Sequence, residues 1–504
     1  MIMRIARSAI AFSSVHGDRG SRRRISIAQT RAKRSRPDAS PAGCRGGPFQ
    51  GLVSLLALFA AGCSETPAEP PPPTFTATDS AGVRVVVNSA PQWAENEGWQ
   101  VTPYPVLTLG TVDYPVEQQF FRLGEVTRLS DGTVVVLEID DAELQAFDPS
   151  GDLLWTAGGI GDGPGETRPY GDTRAVLTRL PGNTLQLQNG QARVRFSSRG
   201  NLLEHVKVDY TRFRRWGRIF LQYCPFSAYF LQDQIVFCDT GGLAASGADS
   251  PIREQTVMRT DWSLDRLDTL GTFFRAVRAS VEMDYSVVLA GPEYTDQMRE
   301  QFGGRRTHRV SSPLGPKGIL RAGVRDRPRL LYARNDRYRI EVWDILAGAL
   351  SMVVERRAPR RARTQEEATY ALQWGVMMLP GNDRSDLDPA DDRWQALDSL
   401  SIAEDFLLDE LGFLWVRRSP SPLEGDEGLT SEFTDYTGRE WTIPRSSGLH
   451  DVFRPDGVYL GTVQLPHDLE VEEIGQDYVL GITRDDLDVQ YVHMYGLARG
   501  GGPK

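Results

Sequence analysis

The chain has 504 residues, of which 40% are hydrophobic and 25% charged, and its formal net charge is −10. This apolar content is sufficient for a large core, so the composition excludes wholesale disorder. The acidic balance argues against a nucleic-acid partner, because such binding rests on Lys and Arg that neutralise phosphates. The charge is unevenly divided: residues 1–50 hold 11 basic and two acidic residues, whereas residues 51–504 hold 46 basic and 65 acidic ones, a balance of −19.

The first recognisable element is an apolar run that starts at Gly51 and ends at Cys63. At about 12 residues it is shorter than the ~20 that a membrane-spanning helix needs, and it is typical of a secretory signal. Its end, Ala60-Ala61-Gly62-Cys63, resembles the lipobox of bacterial lipoproteins. The resemblance implies cleavage before Cys63, lipid on its sulfur and acylation of the new N-terminus, which together anchor a protein stably. The alternative is a buried helix that ends in an ordinary cysteine.

Residues 1–62 are therefore expected to be a basic leader and lipoprotein signal peptide, disordered and absent from the mature protein. Three explanations of the long basic part remain open: an extended positive region, a misassigned start codon, or a weak twin-arginine signal at Ser21-Arg22-Arg23. Residues 63–78 are Pro-rich and predict an extended tether, with a Pro-rich ligand for a partner as the alternative. Ser64 after the lipidated cysteine favours the outer membrane, as the lipoprotein resemblance implies.

From Asp79 onward, short runs of β-branched and aromatic residues alternate with Gly, Asp and Pro turns. The pattern predicts an all-β fold, because the strand–helix alternation of a parallel α/β sheet is missing. Representative runs are Val83–Val87, Thr133–Leu137, Gln234–Phe237, Tyr338–Trp343, Phe413–Val416 and Tyr491–Tyr495.

One turn pattern recurs along this part of the chain, with an aromatic residue at a strand end before a Gly turn. Glycine suits a tight hairpin because the turn requires positive φ. The first two glycines lie 49 residues apart, near the ~40–50-residue period of propeller blades. We predict that each copy is the outer hairpin of one blade. The copies are Phe147-Asp-Pro-Ser-Gly151, Phe196-Ser-Ser-Arg-Gly200, Trp343-Asp-Ile-Leu-Ala-Gly348, Phe453-Arg-Pro-Asp-Gly457 and a weaker Thr260-Asp-Trp-Ser-Leu264.

The most complete repeat runs from Leu129 to Glu166 and resembles a blade of the NHL-like six-bladed β-propellers of bacterial exported lipoproteins. Residues 79–88 and 478–497 resemble the start and the close of that family. The resemblance implies an all-β, six-bladed β-propeller over residues 79–498. Ring closure is expected to pair the strand near Val83–Val87 with the C-terminal strands, which removes open sheet edges.

A small helical insertion is expected near residues 364–401, between the fourth and fifth repeats. Thr364-Gln-Glu-Glu367 is a capping box followed by apolar residues at helical spacing, and Asp388-Pro389 predicts a second short helix toward Leu400. The apolar stripe is expected to pack on the propeller rather than to bind a partner.

Two cysteines remain once Cys44 is assigned to the leader and Cys63 to the lipid: Cys224 and Cys238. In an oxidising compartment we expect them to form a disulfide, which would stabilise the fold by about 3 kcal/mol. A catalytic thiol and a pair of buried free thiols are the alternatives.

Residues 158–166 are rich in glycine, but they miss the dinucleotide-binding spacing and follow a hairpin rather than open a helix. One interpretation is a backbone-lined ligand loop at the propeller face, formed by Gly163, Pro164, Gly165 and Glu166. The other, which we favour, is a tight crossing from one blade to the next.

Charged clusters give no metal motif. The histidines never occur as a paired zinc motif, and the acidic groups near Glu138 and Asp485 lack the spacing and glycine of a calcium loop. No cofactor is therefore predicted, and calcium is unsupported by a motif. Two Arg-rich segments, 212–218 and 356–363, are either binding sites for an anionic ligand or solubilising charges.

The sequence contains no GxSxG, HExxH or P-loop pattern. It predicts a membrane-anchored lipoprotein of the cell envelope, on the periplasmic side of the outer membrane or exposed on it. Its role would be a binding or protein-interaction scaffold for an envelope protein, peptide or glycan. The alternative, which related six-bladed propellers imply, is a calcium-dependent lactonase or esterase-like hydrolase in the central channel. Converging Asp, Glu and Asn side chains in the channel would favour the hydrolase, and an apolar or Arg-lined channel the scaffold.

Overall fold

The structure is a computed structural model, and every residue that it describes belongs to the second of two units of the chain, Pro70–Lys504. Cys63, Cys224 and the Arg-rich segment 212–218 lie outside the described residues. Within them, no helix is long and apolar enough to span a membrane. The description covers residues 73–500 except 95–96, 112–114, 116–118, 169–174, 191, 210–227, 240–249, 285–294, 298–299, 301–303, 324–326, 376–387, 420–429, 435–439, 445–447 and 486.

Four strands precede the first complete sheet, and six sheets of four or more strands then follow in chain order. The early strands are β1 (Phe75–Ser80), β2 (Val83–Asn88), β3 (Gln100–Val101) and β4 (Leu107–Leu109). The first sheet contains β5 (Leu123–Arg128), β6 (Val134–Glu138), β7 (Glu143–Phe147) and β8 (Leu153–Gly158). The second contains β9 (Val176–Leu180), β10 (Thr184–Asn189), β11 (Ala192–Phe196) and β12 (Leu202–Lys207).

The later sheets carry additional strands. The third contains β13 (Ala228–Phe230), β14 (Gln234–Asp239), β15 (Ile252–Asp261), β16 (Leu267–Asp284) and β17 (Arg305–Ser311). The fourth joins β1 and β2 to β18 (Gly318–Gly323), β19 (Arg329–Arg334), β20 (Arg339–Asp344) and β21 (Ala349–Arg356). The fifth contains β22 (Ala403–Leu408), β23 (Leu414–Arg418), β26 (Leu449–Phe453) and β27 (Tyr459–Gln464), with β24 (Thr430–Thr434) and β25 (Glu440–Pro444) as a separate hairpin. The sixth joins β3 and β4 to β28 (Glu470–Ile474), β29 (Tyr478–Arg484) and β30 (Gln490–Ala498).

Six buried apolar clusters fill the spaces between successive sheets. For example, Leu137 packs with Leu187 between the first and second sheets, and Val342 with Val416 between the fourth and fifth. The cluster of Val136 and Leu480 joins the sixth sheet back to the first, so the sheets form a closed ring. The all-β propeller fold is therefore confirmed, and the six sheets support the blade count of six, which stays a prediction.

The recurring Gly turns occupy equivalent places in the ring. Each of the five connects the third and fourth strands of its sheet, as predicted. Gly151 and Gly457 have φ values of 96° and 89°, which explains glycine at these corners. Phe147 and Phe453, which precede the turns, are fully buried. The sixth sheet takes its outer strand from the N-terminal part of the chain instead.

The predicted partner of the Val83–Val87 strand is wrong. This strand, β2, pairs in parallel with β21 of the fourth sheet, and the ring is closed by β4, whose Leu109 lies opposite Val492 of β30. Burial explains the choice: Leu107 and Leu109 are both buried, as closure requires, whereas only Val86 among the valines of β2 is buried. A strand with one buried valine suits the outer part of a sheet, where β2 lies between β1 and β21, better than the seam that closes the ring.

Residues 73–110, which we call the N-terminal belt, run along the fourth, fifth and sixth sheets. The buried Asn88 side chain donates to the carbonyls of Glu355 and Gly457 and accepts from the amide of Tyr459, so it links the fourth sheet to the fifth. Trp99 packs its ring 5.6 Å from that of Trp415 in the fifth sheet. The belt therefore ties three sheets together from outside.

The helical insertion is confirmed in part. Helix α1 (Gln365–Gly375) begins with the predicted capping box, in which the amides of Thr364 and Glu367 bond each other's side chains at 2.9 and 3.2 Å. Its Leu372 packs against Val281 of β16, so the apolar stripe lies on the propeller. The second predicted helix is wrong: only a 3₁₀ turn, Asp392–Trp394, forms there. It ends because Gln395 adopts a left-handed conformation with φ of 45°.

The two ends of the ring differ in their connections. Arg321 pairs with Asp405 and Thr127 bonds Glu473 at matching depths of their strands, which shows that the innermost strands run in the same direction. Connections such as β5–β6 and β7–β8, at the end that we call the turn face, contain three to five residues. All connections of 12 or more residues between successive sheet strands, including the helical insertion, lie at the opposite end, the loop face. Insertions have therefore accumulated on one face only.

Candidate functional site: the central channel

A cavity of about 590 Å³ occupies the centre of the ring. Its lining comes from the innermost strand of every sheet, so it is the central channel of the propeller. The channel is predominantly polar, with both carboxylates and guanidinium groups on its wall. One residue from each innermost strand in turn is Glu125, Thr178, Phe230, Arg321, Asp405 and Glu472.

Arg179 of β9 closes the channel near the turn face. Its Nη2 lies 3.0 Å from Oε1 of Glu410 in the β22–β23 turn, and its Nη1 donates to the carbonyl of Arg128. The second and fifth sheets are opposite each other in the ring, so this ion pair crosses the channel. Burial would lower the pKa of Arg179, but the carboxylates of Glu473 and Glu410 raise it above its ordinary value. The ion pair therefore spans the turn-face end of the channel.

The channel carboxylates with described contacts are bonded to the chain's own donors. Glu473 is buried and accepts from Thr127 Oγ1 at 2.6 Å and from the hydroxyl of Tyr478. Burial and the charge of Glu473 raise the pKa of that hydroxyl far above its ordinary value. Glu125 accepts from the amide of Leu177 at 3.0 Å. These contacts stabilise the ring by linking innermost strands of neighbouring sheets.

Two arginines extend the polar wall between the fourth and fifth sheets. Arg321 forms an ion pair with Asp405 at 2.6 Å, and Arg417 lies 3.4 Å from Glu404. Burial raises the pKa of Glu404, and the charge of Arg417 opposes that change. The channel is therefore lined by paired charges of both signs.

His450 lies in the same part of the wall and is 6% exposed. Its Nδ1 lies 2.9 Å from the carbonyl of Gly448, and because a carbonyl only accepts, Nδ1 carries the proton. Burial lowers the pKa of His450 to about 4, so the ring is neutral near pH 7. The sequence gives no local signal for this residue, because His450 belongs to no paired zinc motif.

Asp451, next to His450, is the centre of a buried polar cluster between the fourth and fifth sheets. It is fully buried and accepts from Arg356 at 2.6 Å, from Arg418 at 2.6 and 2.9 Å, and from Tyr338 at 2.7 Å. Burial alone would raise the pKa of Asp451, but the two guanidinium groups hold it below its ordinary value. Only the three-dimensional structure brings these residues together.

The predicted ligand loop lies on the loop face between the first and second sheets. Glu166 folds back so that its carboxylate accepts from the amide of Gly163 at 2.8 Å, and the amide of Gly165 donates to Nδ1 of His205 at 3.3 Å. Pro164 lies between these two glycines. Gly165 has φ of 89° and packs on Phe196 of the second sheet. The loop is thus held by internal bonds, and its role as a ligand site stays a prediction.

The remaining predicted residues have separate locations. Cys238 lies in β14 opposite Val257, while its proposed partner Cys224 and the lipid site Cys63 are outside the described residues. The acidic group near Glu138 is bonded by backbone amides of Phe121 and Arg122. Across the described part of the chain, no group of three or more His, Cys, Asp and Glu side chains has an arrangement suited to a metal ion.

No family model matches the sequence, and no curated protein matches it. Three solved structures of similar fold are a candidate exported protein from Bacteroides fragilis NCTC 9343 (10% identity, 83% of this chain and 100% of that one, TM-score 0.37), virginiamycin B lyase from Staphylococcus aureus (8%, 79% and 99%, 0.31) and the calcium-binding protein regucalcin from Agrobacterium tumefaciens C58 (9%, 79% and 97%, 0.30). Likeness at this level carries no argument about activity. The fold assignment rests on the sheets and their cores, and membership of the NHL-like family stays a prediction.

Proposed function

We propose that this chain is a lipid-anchored β-propeller of the bacterial cell envelope that binds a partner protein, peptide or glycan through its loop face. The observation that carries the proposal is the difference between the two faces. The turn face has only short connections and its channel end is crossed by Arg179, whereas the loop face holds the long connections. Loops displayed on a rigid scaffold are the usual location of binding surfaces.

The channel chemistry supports binding over hydrolysis. Arg321 and Arg417 lie on its wall beside Asp405 and Glu404, so charge on one side chain is compensated by its neighbour. Glu473 and Glu125 are occupied by donors from adjacent strands. Arginines stand among the channel carboxylates, and an Arg-lined channel favours recognition of a polar ligand over calcium-dependent hydrolysis.

Exposed apolar side chains provide a matched test of which face binds. Phe121 and Leu487 on the loop face are 78% and 82% exposed, and Leu346 and Leu411 on the turn face are 57% and 45% exposed. Because all four side chains face solvent, truncating them to Ala should leave stability nearly unchanged. The protein with Phe121→Ala and Leu487→Ala should recover less partner from envelope membranes by crosslinking and quantitative mass spectrometry. The turn-face pair, Leu346→Ala and Leu411→Ala, should recover as much as the parent.

A loop-face binding site would be contradicted if both variants recovered the same amount of partner, or if only the turn-face variant recovered less partner than the parent. If the purified parent hydrolysed lactones in a calcium-dependent way and retained no partner, the scaffold proposal would be refuted and the hydrolase supported.

The anchor is proposed from the resemblance of residues 60–63 to a lipobox. Substituting Cys63 by Ala should abolish incorporation of labelled palmitate and move the protein from the membrane fraction to the soluble periplasmic fraction. Unchanged membrane fractionation without label would refute lipid attachment. Density-gradient separation of the parent protein's membranes tests the expected outer-membrane location.

A further inference from the structure

The channel cavity extends outward along the fifth sheet. Besides residues of the innermost strands, its wall includes Trp415 and Arg417 of β23 and His450 of β26, the third strand of that sheet. Among the residues that the structure describes, none from the outer strand β27 lines the cavity. The cavity therefore ends at His450, at the third strand of the fifth sheet.

Two rows of side chains form this end of the cavity, which we call the side pocket. Asp405 lies opposite Arg417, and Arg417 lies opposite His450, so these three form a polar row. In the neighbouring row, Leu407 lies opposite Trp415, whose ring is 6.3 Å from that of His450. Cross-strand partners, and residues two apart in a strand, lie on the same face of a sheet. Trp415 packs in one cluster with residues of the sixth sheet, so the side pocket lies between the fifth and sixth sheets.

His450 presents a hydrogen-bond acceptor to the side pocket. Its Nδ1–H donates to the carbonyl of Gly448, so Nε2 carries the lone pair. The lowered pKa of His450 keeps the ring in this neutral form near pH 7. The residue is only 6% exposed, yet Nε2 bonds no residue that the structure describes. Because buried polar atoms are nearly always bonded, an unbonded acceptor in a cavity wall indicates a polar ligand.

Arg417 presents hydrogen-bond donors beside this acceptor. Its buried Nε has no hydrogen-bond partner in the described part of the chain. Its ion pair with Glu404 is long, with 3.4 Å between Nε and Oε2. The guanidinium charge is thus balanced, while its hydrogen-bonding capacity is left for a ligand.

A charged ligand does not suit the side pocket. The charges that act on His450 are each balanced by a partner, in the pairs Arg417–Glu404, Asp405–Arg321 and Asp451–Arg418. Glu470 and Glu472 of β28 line the same cavity and would repel an anion, and Arg417 would repel a cation. The side pocket therefore suits an uncharged group that accepts from Arg417 and donates to Nε2 of His450.

We propose that the side pocket binds the acetamido group of an N-acetylated amino sugar. The amide oxygen accepts from the Arg417 guanidinium, and the amide N–H donates to Nε2 of His450. The methyl group lies against Trp415 and Leu407 of the apolar row. A peptide backbone amide has the same two polar atoms but continues on both sides, whereas an acetamido group ends in its methyl and fits a pocket that stops at the third strand. The inference rests on the binding role of the proposed function and selects a glycan among its partner classes.

The test measures binding of N,N′-diacetylchitobiose to the purified full chain by ligand-observed NMR titration. Cellobiose, which has hydroxyl groups in place of both acetamido groups, should bind about tenfold more weakly, because it leaves the polar atoms of the side pocket unpaired. Saturation transfer from the protein should be strongest at the acetyl methyl protons, because the methyl group is the most deeply inserted part of the sugar.

Two variants locate the site. Arg417→Met removes the donors while keeping most of the side-chain length, and it should weaken binding of the disaccharide about tenfold. His450→Phe keeps a ring beside Trp415 but removes the acceptor, and it should have a similar effect. The control is Arg339→Met in the fourth sheet, where an arginine of matching exposure, 31% against 30%, pairs with Glu355 away from the cavity lining. This control should bind within about twofold of the parent.

Equal binding of the two disaccharides, or equal weakening by Arg339→Met, would overturn the acetamido site. Preferential binding of an N-acetylated dipeptide would also overturn it and assign the pocket to a peptide. If His450→Phe does not fold, the comparison of sugars and Arg417→Met still decide.

The proposed function has a separate readout, which is partner recovery by the Phe121 and Leu487 variant. Disaccharide binding together with unchanged partner recovery would refute only the loop-face site. Loss of partner without disaccharide binding would refute only the acetamido site.

Discussion

Replacing Asp451 by Asn removes one negative charge from a site where two arginines depend on it. Asp451 is fully buried, while the side chains of Arg356 and Arg418 are 18% and 33% exposed. Asn preserves the size of the side chain, so the substitution changes charge and hydrogen bonding without opening a cavity. The two guanidinium groups would then repel each other between the fourth and fifth sheets.

The expected cost follows from this geometry. Removing one member of a buried ion pair typically destabilises a protein by ~3–5 kcal/mol. Partial exposure of both arginines lets water compensate some of the charge, so we expect about 3 kcal/mol, at the low end of that range. With a urea dependence of roughly 3 kcal/mol per molar, the unfolding midpoint should fall by about 1 M.

Urea unfolding followed by tryptophan fluorescence measures this change, because Trp415 lies in the fifth sheet beside the cluster. The control is Asp456→Asn at a partly exposed ion pair with Arg454, where about 0–1 kcal/mol is expected. Ionised Asp451 stabilises the folded state above its unfolded pKa of ~3.9, and that contribution is lost as pH falls through its lowered folded pKa. The difference between parent and variant should therefore shrink below about pH 4. A midpoint shift equal to that of Asp456→Asn would refute the assigned role.

Three further outcomes are expected. Because burial lowers the pKa of His450 to about 4, the parent should lose stability as pH falls from ~6.5 toward 4. The thermal unfolding temperature of His450→Gln should depend less on pH in this window. The control, His467→Gln at an exposed position, should show the same pH dependence as the parent. Leu109→Ala in the closing strand should lower the free energy of unfolding by ~2–5 kcal/mol. Val83→Ala, at a half-buried position in the outer part of the fourth sheet, should lower it by less than about 1 kcal/mol. Equal losses would contradict closure by β4. Intact-mass measurement after alkylation, with and without reductant, should show one disulfide between Cys224 and Cys238, and two free thiols in periplasmic protein would disprove it.

The features that sequence analysis identified correctly are those that a short segment determines. A Gly turn after an aromatic residue needs only local backbone geometry, and all five such turns lie where predicted. The capping box at Thr364 likewise depends on two residues three positions apart. By contrast, the helix predicted after Asp388-Pro389 does not form. Trp394 is buried against α1, and the short 3₁₀ turn ends at this residue.

The strand that closes the ring and the residues His450 and Asp451 could not be identified from the sequence, because both depend on partners far away in the chain. The valines of β2 and the leucines of β4 are both plausible strands, and only packing shows which of them the C-terminal strands bury. His450 and Asp451 lie in an ordinary strand. The partners of Asp451 are Tyr338, Arg356 and Arg418, in other segments, and His450 lies beside the Trp415 ring of a neighbouring strand. No local pattern distinguishes them from other polar residues of a strand.

The N-terminal belt sets an order of events during synthesis. The belt is made first, yet its partners are made last: Asn88 bonds Gly457, 369 residues later in the chain. Contacts of such long range slow folding and leave strand edges exposed in the meantime. The belt strands β3 and β4 stay unpaired until β30 has been made. We therefore expect the growing chain to need holding chaperones until its last residues have been synthesised.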